Sequence, residues 1–483
     1  MGSAAGAAMA GAPLSSVRPP LRDADGFGRA ARTIDQLVAE AKLSGKIGFA
    51  VADAATGEIL EAKNPLLPLP PASVTKAITA LYALDRLGPD YRFRTRLVAD
   101  GVLENGRLRG DLVLMGGGDP TLDTDALGEM ASQLKAAGLR EITGAFRVHS
   151  RVLPTISAID PGQPEHAGYN PAVSGLNLNF NRVRFEWKRE PGGYALKMDA
   201  RAHKYSPQVA IARMTVVERD MPVYTYADQG GADQWTVARP ALGKAGSRWL
   251  PVRKPELYAA EVFQTLARSH GIQLPQAELA ETAPDGARVL VERQSEPLRD
   301  ILRDMLKWST NLTAEVVGLT ATAAGGARPA GLRGSAQAMT AWARDALGAR
   351  KAVFVDHSGL GEASRLTASD MVMALAGARR AGLLPPILKD IPMRNEAGDV
   401  IENHPVKIRA KTGTLHFVSA LAGYMTVPGG RELAFAFLSA DMDRRSLISD
   451  ADGDTPPGAR RWTSASRKLQ LRLIERWGTT YSG

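Results

Sequence analysis

The sequence contains no cysteine among its 483 residues. This absence excludes a thiol nucleophile, a disulfide framework and a cysteine-ligated metal site. It does not exclude an oxidising compartment, because a chain without thiols cannot form wrong disulfides there. The lack of cysteine therefore excludes thiol-based chemistry but does not decide between an oxidising and a reducing compartment.

Long apolar stretches and dense basic runs are also missing. No segment approaches the about 18 consecutive apolar residues that a spanning helix needs, so the sequence predicts no membrane span. The net charge is +9, but Lys/Arg runs of five, zinc-finger spacings and aromatic RNA-binding signatures are absent, so nucleic acid is disfavoured as a partner. The excess charge indicates either a mildly basic solvated surface or attraction to a polyanion such as a cell-wall polymer.

The remaining composition is that of a soluble globular protein. Hydrophobic residues make up 44% and charged residues 23% of the chain. A chain of 483 residues is too long for one ordinary domain, so we expect two or three. The small apolar run 4–12 resembles the end of a secretory signal, although it is short and lacks a basic start. Residues 1–25 are therefore either a signal-peptide remnant or a loose tail.

One stretch, 70–80, combines a helix start with reactive side chains. Two prolines precede Ser73, and apolar residues then recur at helical spacing until Gly88 and Pro89 end the pattern. Ser73 is thus predicted at the N-terminal end of a helix, with Lys76 over the same face. The positive end of the helix dipole and a nearby amine would activate the hydroxyl as a nucleophile.

The S-x-x-K pattern alone is weak, because Ser132 and Lys135 repeat it on what reads as a solvated helix face. Two later segments distinguish Ser73: the sequence 309–311 (Ser-Thr-Asn), predicted between two helices, and 411–414 (Lys-Thr-Gly-Thr), predicted at the end of a strand. Each alone could be a helix cap or a strand edge. Three such segments in this order indicate a catalytic site.

These three motifs resemble the signature of penicillin-binding proteins and serine β-lactamases. The wide gap between Ser73 and Ser309 is similar to that of the class C, low-molecular-mass penicillin-binding proteins, the D-alanyl-D-alanine carboxypeptidase/endopeptidases, which insert two small domains at this place. The resemblance extends over most of residues 30–475 and includes the segments 116–122, 169–171, 311–315, 356–360 and 409–415.

The resemblance implies a multidomain α/β (α+β) protein. Its catalytic domain, residues 26–96 and 290–483, would hold a five-stranded antiparallel sheet flanked by helices and completed by both ends of the chain. The β-rich interval would form two inserted, mainly-β domains, one from 97–185 with 226–289 and a smaller one from 186–225.

The implied reaction is acyl transfer from the D-Ala–D-Ala bond of peptidoglycan stem peptides. Ser73 would attack the carbonyl carbon and Lys76 would be the base, which requires a lysine pKa below the usual value of about 10.4. Ser309 and Asn311 would bridge Lys76 and the substrate amide, and Ser309 could pass a proton to the leaving amine.

The resemblance assigns substrate binding to the third motif. Lys411, Thr412 and Thr414 would hold the terminal carboxylate of the substrate beside Gly413, because cations and hydroxyls suit a carboxylate. The backbone N–H groups of Ser73 and Thr414 would form the oxyanion hole. β-Lactams would acylate Ser73 and stay bound. We expect no cofactor, no metal and a periplasmic, exported enzyme, and the sequence leaves the oligomeric state open.

Two other functions remain open alternatives. The first is a β-lactamase-like or esterase-type serine hydrolase on the same fold. The second is a non-catalytic wall-binding scaffold, which the intact motif residues argue against.

Several other residues could suggest different chemistry. His357 precedes a serine but lies in a turn that looks structural, and His404 and His416 lack any metal-binding spacing. Asp160 lies near the place where relatives position an acidic residue that binds the side-chain amine of a diaminopimelate stem peptide. A surface acid without such a role is the simpler interpretation. The glycine run 116–118 lacks the residues of a phosphate-binding loop, so we interpret it as a tight turn.

Overall fold

The computed structural model describes residues 32–328, 330–395, 397–449 and 455–482. The predicted tail, residues 1–25, lies outside them. The α-helices in the described residues are α1 Ile34–Ala41, α2 Thr75–Leu87, α3 Thr124–Ala136, α4 Pro255–Ser269, α5 Leu298–Trp308, α6 Asn311–Ala324, α7 Leu332–Leu347, α8 Ala368–Arg380, α9 Met442–Ser446 and α10 Ala459–Thr480.

The strands belong to four sheets. They are β1 Lys46–Asp53, β2 Ile59–Lys63, β3 Arg94–Glu104, β4 Arg107–Met115, β5 Glu141–Ile142, β6 Phe146–His149, β7 Arg182–Glu190, β8 Gly193–Asp199, β9 Ala212–Val217, β10 Tyr224–Asp228, β11 Asp233–Ala238, β12 Ala245–Pro251, β13 Ala277–Leu279, β14 Arg288–Gln294, β15 Lys389–Asp390, β16 Lys407–Leu415, β17 Val418–Thr426 and β18 Glu432–Ala440.

One antiparallel sheet joins the two ends of the chain. Its strand order is β15-β16-β17-β18-β1-β2, so β1 and β2 from the N-terminal part pair with strands from the C-terminal part. The five long strands are those of the predicted sheet, and the two-residue β15 adds a short sixth strand at the edge. The chain therefore leaves this α/β unit after α2 and re-enters it later, which confirms the predicted fold class.

The two faces of this sheet differ in side-chain size because strand residues alternate between faces. In β18, Phe435 and Phe437 pack with residues of α1 and α10, while Ala434 and Ala436 face the cluster of α2 and α5–α8. Phe437 stacks on Phe49 of β1 at a centroid distance of 6.1 Å. The alanine face lets α8 and the nucleophile-bearing segment lie close to the sheet.

The insertion contains the other three sheets. A mixed sheet of order β13-β6-β4-β3-β14, with β5 beside β4, packs with α3 and α4. Two three-stranded sheets, β12-β7-β8 and β10-β11-β9, extend from residue 182 to residue 251 and share the same hydrophobic cluster. The limits predicted for the smaller inserted domain fall inside β7 and β10, and the division into two inserted domains stays a prediction.

Within the described ranges, none of the helices combines the length and apolar character needed to cross a membrane.

Candidate active site

Ser73 lies in a tight turn that leads into α2. The turn is a 3₁₀ segment, Ala72–Val74, where we predicted the first turn of the α-helix itself. Ala72 has a φ of +46°. This backbone conformation is energetically unfavourable for residues other than glycine, and such residues are concentrated at functional sites. The tight turn leaves Ser73 on the cavity wall while its neighbours on both sides are buried.

Lys76 lies directly beneath Ser73 and is fully buried. Its Nζ is 3.0 Å from Ser73 Oγ, and it donates hydrogen bonds of 2.7 Å to Asn311 Oδ1 and to the Ser358 carbonyl oxygen. Burial lowers the pKa of Lys76 to about 8, against the opposing effect of the Glu315 and Asp356 carboxylates. A substantial fraction of this amine is therefore neutral at slightly alkaline pH and able to take a proton.

Two buried acids, Glu315 and Asp356, hold the turn that carries the Ser358 carbonyl. The Glu315 carboxylate accepts hydrogen bonds from the N–H groups of His357 (2.9 Å) and Ser358 (2.8 Å). Asp356 accepts bonds of 2.6 Å from the N–H groups of Gly359 and Gly361. Burial raises the pKa of both carboxyls, and the N–H donors and the Lys76 charge oppose that rise.

The second motif forms the junction between α5 and α6. Ser309 ends α5 with a φ of +60°, and Asn311 is the first residue of α6. Ser309 Oγ accepts a hydrogen bond of 3.0 Å from Lys411 Nζ. Asn311 contacts Lys76 with its side-chain oxygen and donates from Nδ2 to the Tyr169 carbonyl oxygen at 2.9 Å. The inserted region thus contacts the motif directly.

The third motif lies on β16, next to the nucleophile turn. Lys411 is buried, and desolvation together with the Lys76 charge places its pKa well below the ordinary value. A Cβ at Gly413 would lie 2.7 Å from the Pro71 carbonyl oxygen and 3.1 Å from the Ser73 nitrogen. Only glycine therefore allows this strand to approach the turn so closely.

A cleft of about 700 Å³ opens above these residues. Ser73, Ser309, Asn311 and Thr414 line it, whereas Lys76 and Lys411 lie buried beneath its wall. Gln163 and Tyr169 of the insertion line one part, and the C-terminal helix α10 lines another. Thr412 is exposed on β16 but is not part of the cavity lining.

The side chains of two other sequence candidates, His357 and Ser132, lie outside this arrangement. The buried His357 ring contacts Ser335 Oγ at 2.8 Å and Met339 Sδ at 3.3 Å, and burial lowers its pKa to about 3. It is therefore a neutral side chain in the helical core. Ser132 is exposed on α3, and the nearby Lys135 donates to the Gly271 carbonyl oxygen.

Asp160 is half-buried in the insertion. Its carboxylate accepts hydrogen bonds from the Gly162 N–H (3.0 Å) and from Gln163 Nε2 (2.9 Å), and Gln163 lines the cleft. The binding of a diaminopimelate amine by Asp160 stays a prediction.

The other two histidines considered in the sequence analysis, His404 and His416, have separate surroundings. His404 Nδ1 accepts a hydrogen bond from the Val406 N–H at 3.1 Å, and His416 lines the cleft. Nowhere in the described part of the chain do three His, Cys, Asp or Glu side chains form a group that could hold a metal.

Sequence reasoning assigned no role to several groups of the site. Glu315, Ser358 and Tyr169 lie inside segments that carried the resemblance, which is a signal that could have pointed to them. The Ser358 and Tyr169 contacts are made by carbonyl oxygens, so side-chain motifs cannot reveal them. Arg467 of α10, whose Nη2 donates to Thr414 Oγ1 at 3.2 Å, had no sequence signal at all.

Known proteins match this chain over most of its length. Residues 30–453 match the D-Ala-D-Ala carboxypeptidase 3 (S13) family. A D-alanyl-D-alanine carboxypeptidase from Actinomadura sp. (strain R39) is 29% identical over 466 residues, which cover 88% of this chain and 84% of that protein. A carboxypeptidase from Mycobacterium tuberculosis is 30% identical over 407 residues, covering 82% of this chain and 76% of the relative.

The solved structures extend the likeness to the whole fold. Penicillin binding protein 4 from Haemophilus influenzae has a TM-score of 0.74 at 20% sequence identity, covering 92% of this chain and 99% of that chain. A structure of the same protein complexed with a β-lactam has a TM-score of 0.70. The resemblance seen in the motifs is confirmed at the level of the family: the chain belongs to the D-Ala-D-Ala carboxypeptidase 3 (S13) family.

Proposed function

We propose that the protein is a serine-type D-alanyl-D-alanine carboxypeptidase/endopeptidase that acts on peptidoglycan stem peptides through an acyl-enzyme on Ser73. The observation that carries the proposal is the buried Lys76 amine, which lies 3.0 Å from Ser73 Oγ and has a pKa of about 8. A neutral amine at this distance can accept the hydroxyl proton as the oxygen attacks a carbonyl.

Acylation then proceeds in two steps. Ser73 Oγ bonds to the carbonyl carbon of the D-Ala–D-Ala amide while its proton moves to Lys76. The N–H groups of Ser73 and Thr414 stabilise the oxyanion, and one such donor contributes about 3 kcal/mol in the transition state. The C–N bond breaks, and the amine takes a proton through Ser309, which lies on the Lys411 side of the cleft. Water later hydrolyses the ester.

The third motif orients the substrate. The Lys411 side chain and the hydroxyls of Thr412 and Thr414 bind the terminal carboxylate, while Asn311 holds the substrate amide. Lys411 already donates a hydrogen bond to Ser309 Oγ. The binding site of the terminal carboxylate therefore lies next to the hydroxyl that passes the proton to the leaving amine. A β-lactam enters by the same attack, but its ring-opened amine stays tethered and the acyl-enzyme persists, so β-lactams inhibit the enzyme.

We also infer that the enzyme is exported to the periplasm, where its stem-peptide substrate lies. The signal-like run 4–12 and the names of the carboxypeptidase relatives support this location. The names of these carboxypeptidase relatives do not say whether release of the terminal D-Ala or cleavage of cross-linked peptides predominates. The two reactions differ only in the amine that leaves.

Labelled penicillin tests the proposal. The wild-type protein is expected to form a long-lived adduct on Ser73 and to release D-Ala from a pentapeptide monomer. Ser73→Ala is expected to lose both activities with a nearly unchanged melting temperature. Adduct formation that persists or appears on Ser132 contradicts the site assignment, and rapid release of penicilloate by the wild type favours a β-lactamase.

A further inference from the structure

The C-terminal helix α10 brings one arginine to the third motif. Arg467 lines the cleft, and its Nη2 donates a hydrogen bond of 3.2 Å to Thr414 Oγ1. Within the described ranges, no carboxylate forms an ion pair with Arg467, and Thr414 accepts the one hydrogen bond that its side chain makes. A guanidinium carries several N–H donors in a planar fork, so most donors of Arg467 are available to a ligand in the cleft.

The other residues assigned to carboxylate binding are less accessible from the cleft. Lys411 is only 1% exposed, and its Nζ already donates to Ser309 Oγ (3.0 Å) and to the Thr412 carbonyl oxygen (2.7 Å). Thr412 is not part of the cavity lining, whereas Thr414 is. A carboxylate that enters the cleft on the side of β16 therefore meets Thr414, with Arg467 in hydrogen-bond contact with that same hydroxyl.

The two cations near this hydroxyl differ in how firmly they hold their charge. Desolvation and the Lys76 charge place the pKa of Lys411 well below the ordinary value, so this amine gives up its proton readily. A guanidinium, in contrast, is protonated throughout the working pH range. Arg467 is also exposed to solvent, which spares it the cost of burying a charge. It is therefore the permanent positive charge beside Thr414.

The other arginines that line the cleft are engaged elsewhere. Arg445 forms an ion pair of 2.9 Å with Glu362. Arg394 and Arg460 each donate to an oxygen atom within five residues along the chain. Among the arginines of the cleft lining, Arg467 is thus the one whose hydrogen bond goes to a residue of the three motifs.

We propose that Arg467 is a specificity-determining residue that binds the terminal carboxylate of the substrate together with Thr414. The Thr414 hydroxyl accepts from Arg467 and keeps its own proton to donate to one carboxylate oxygen, while the guanidinium donates to the other. This inference rests on the proposed function and adds a residue of α10 to its carboxylate-binding site. The reaction at Ser73 is unchanged, and Arg467 selects substrates whose terminal carboxylate is free.

Two peptides that differ only in their terminal group test the inference in the full chain. One ends in D-Ala–D-Ala with a free carboxylate, and the other ends in the corresponding carboxamide. Both give the same acid product, so the ratio of their kcat/KM values measures the preference for a carboxylate. Arg467→Gln is expected to lower this ratio about tenfold, because hydrogen bonds to charged groups are strong and exposure to water weakens this one. The loss should be confined to the carboxylate peptide.

Labelled penicillin and its methyl ester form a second matched pair. The ratio of their acylation rates at Ser73 measures the same preference independently of peptide turnover, and Arg467→Gln should lower it to a similar extent.

Two control variants separate the fork of Arg467 from its charge alone. Arg467→Lys keeps the charge without the planar fork, so its ratio should fall only about threefold. Arg461→Gln removes the same charge from an exposed residue of α10 outside the cleft lining and should leave the ratio unchanged. Because both arginines are exposed, all three variants should have melting temperatures close to that of the wild type.

An unchanged ratio in Arg467→Gln overturns the inference, and so does an equal loss in Arg461→Gln, which would indicate a general effect of net charge. A wild-type enzyme that treats the two members of each pair alike also overturns it. In each case penicillin labelling of Ser73 and D-Ala release still support the proposed function. A wild-type protein that lacks both of those activities refutes the proposed function itself.

Discussion

Lys76 and Lys411 owe their chemistry to their surroundings. Each is a buried amine, and desolvation lowers the pKa of both. For Lys76 the carboxylates of Glu315 and Asp356 limit this fall, so that its pKa of about 8 lies near working pH. An amine with a pKa near working pH combines an available neutral form with real basicity, which is what a general base needs.

The first prediction at this scale concerns pH. Lys76 must be neutral to accept the Ser73 proton, so the acylation rate is expected to rise with pH through an apparent pKa of about 8. Below that pH the ammonium predominates and the rate falls about tenfold per pH unit. Stopped-flow measurement of penicillin acylation between pH 6 and 9 checks this, and a flat profile would contradict the role of Lys76 as the base.

A second prediction concerns Glu315. Glu315→Gln replaces one acceptor of the turn with an NH₂ group, so a buried backbone N–H loses its partner at a cost of about 1–3 kcal/mol. The acylation rate should fall because the Ser358 carbonyl no longer holds Lys76 in place. Since the Glu315 charge raises the pKa of Lys76, the variant should also shift the pH limb of acylation to lower pH. A lower melting temperature with an unshifted limb would indicate a purely structural role.

At the scale of elements, the site depends on the contact between β16 and the turn that precedes α2. The strand has β17 on one side, and β15 pairs only with Arg409 and Ala410 on the other. Residues 411–415 therefore keep that second side for the nucleophile turn, and Gly413 lies at the point of closest approach. The strand positions Lys411 and the hydroxyl of Thr414 at the cleft that Ser73 lines in this way.

The prediction at this scale is that Gly413→Ala slows acylation more than tenfold. The new methyl group would contact the Pro71 carbonyl oxygen and the Ser73 nitrogen, and overpacking of this kind costs about 1–3 kcal/mol. Gly377→Ala in α8 is the control, because its Cβ meets nothing closer than Arg380 Nη2 at 3.9 Å. The control should stabilise the protein slightly and leave acylation unchanged; equal effects of the two variants would refute the argument.

At the scale of the whole molecule, the insertion contributes to the catalytic unit. The Tyr169 carbonyl accepts from Asn311, and Arg253 holds the loop that carries Tyr169. Arg253 donates to three carbonyl oxygens of that loop, those of Ser157 (2.8 Å), Asn170 (2.8 Å) and Glu165 (2.7 Å). The second motif is thus supported by a part of the chain more than a hundred residues away from it.

We therefore expect Arg253→Lys to weaken the site from a distance. A lysine cannot reproduce three bonds from one planar guanidinium, so stability should fall by about 2 kcal/mol and penicillin acylation of Ser73 should slow several-fold. Denaturant unfolding and labelling kinetics measure the two effects. Arg213→Lys, an exposed arginine with one bond to the Ala210 carbonyl, should change neither. Unaltered acylation in the Arg253 variant would show that the loop does not support the catalytic site.

Much of the site could be predicted because its motifs are local. The spacing of Ser73 and Lys76 on one turn, the position of Ser309 between two helices and the strand that carries Lys411 all follow from patterns of a few residues. The Glu315 and Arg467 contacts could not be predicted in this way. Each joins residues brought together only when α6 packs on the 356–361 turn, or when α10 packs beside β16.

The sequence by itself determined the order of the three motifs, the interrupted catalytic unit and the lack of any thiol chemistry. These are properties of residue type and spacing along the chain. Only the tertiary structure decided how deeply the Lys76 amine is buried and which oxygen atoms of distant segments hold it. The physical reason is that a lysine pKa depends on desolvation and on charges a few ångströms away, and those distances are set by packing between distant segments.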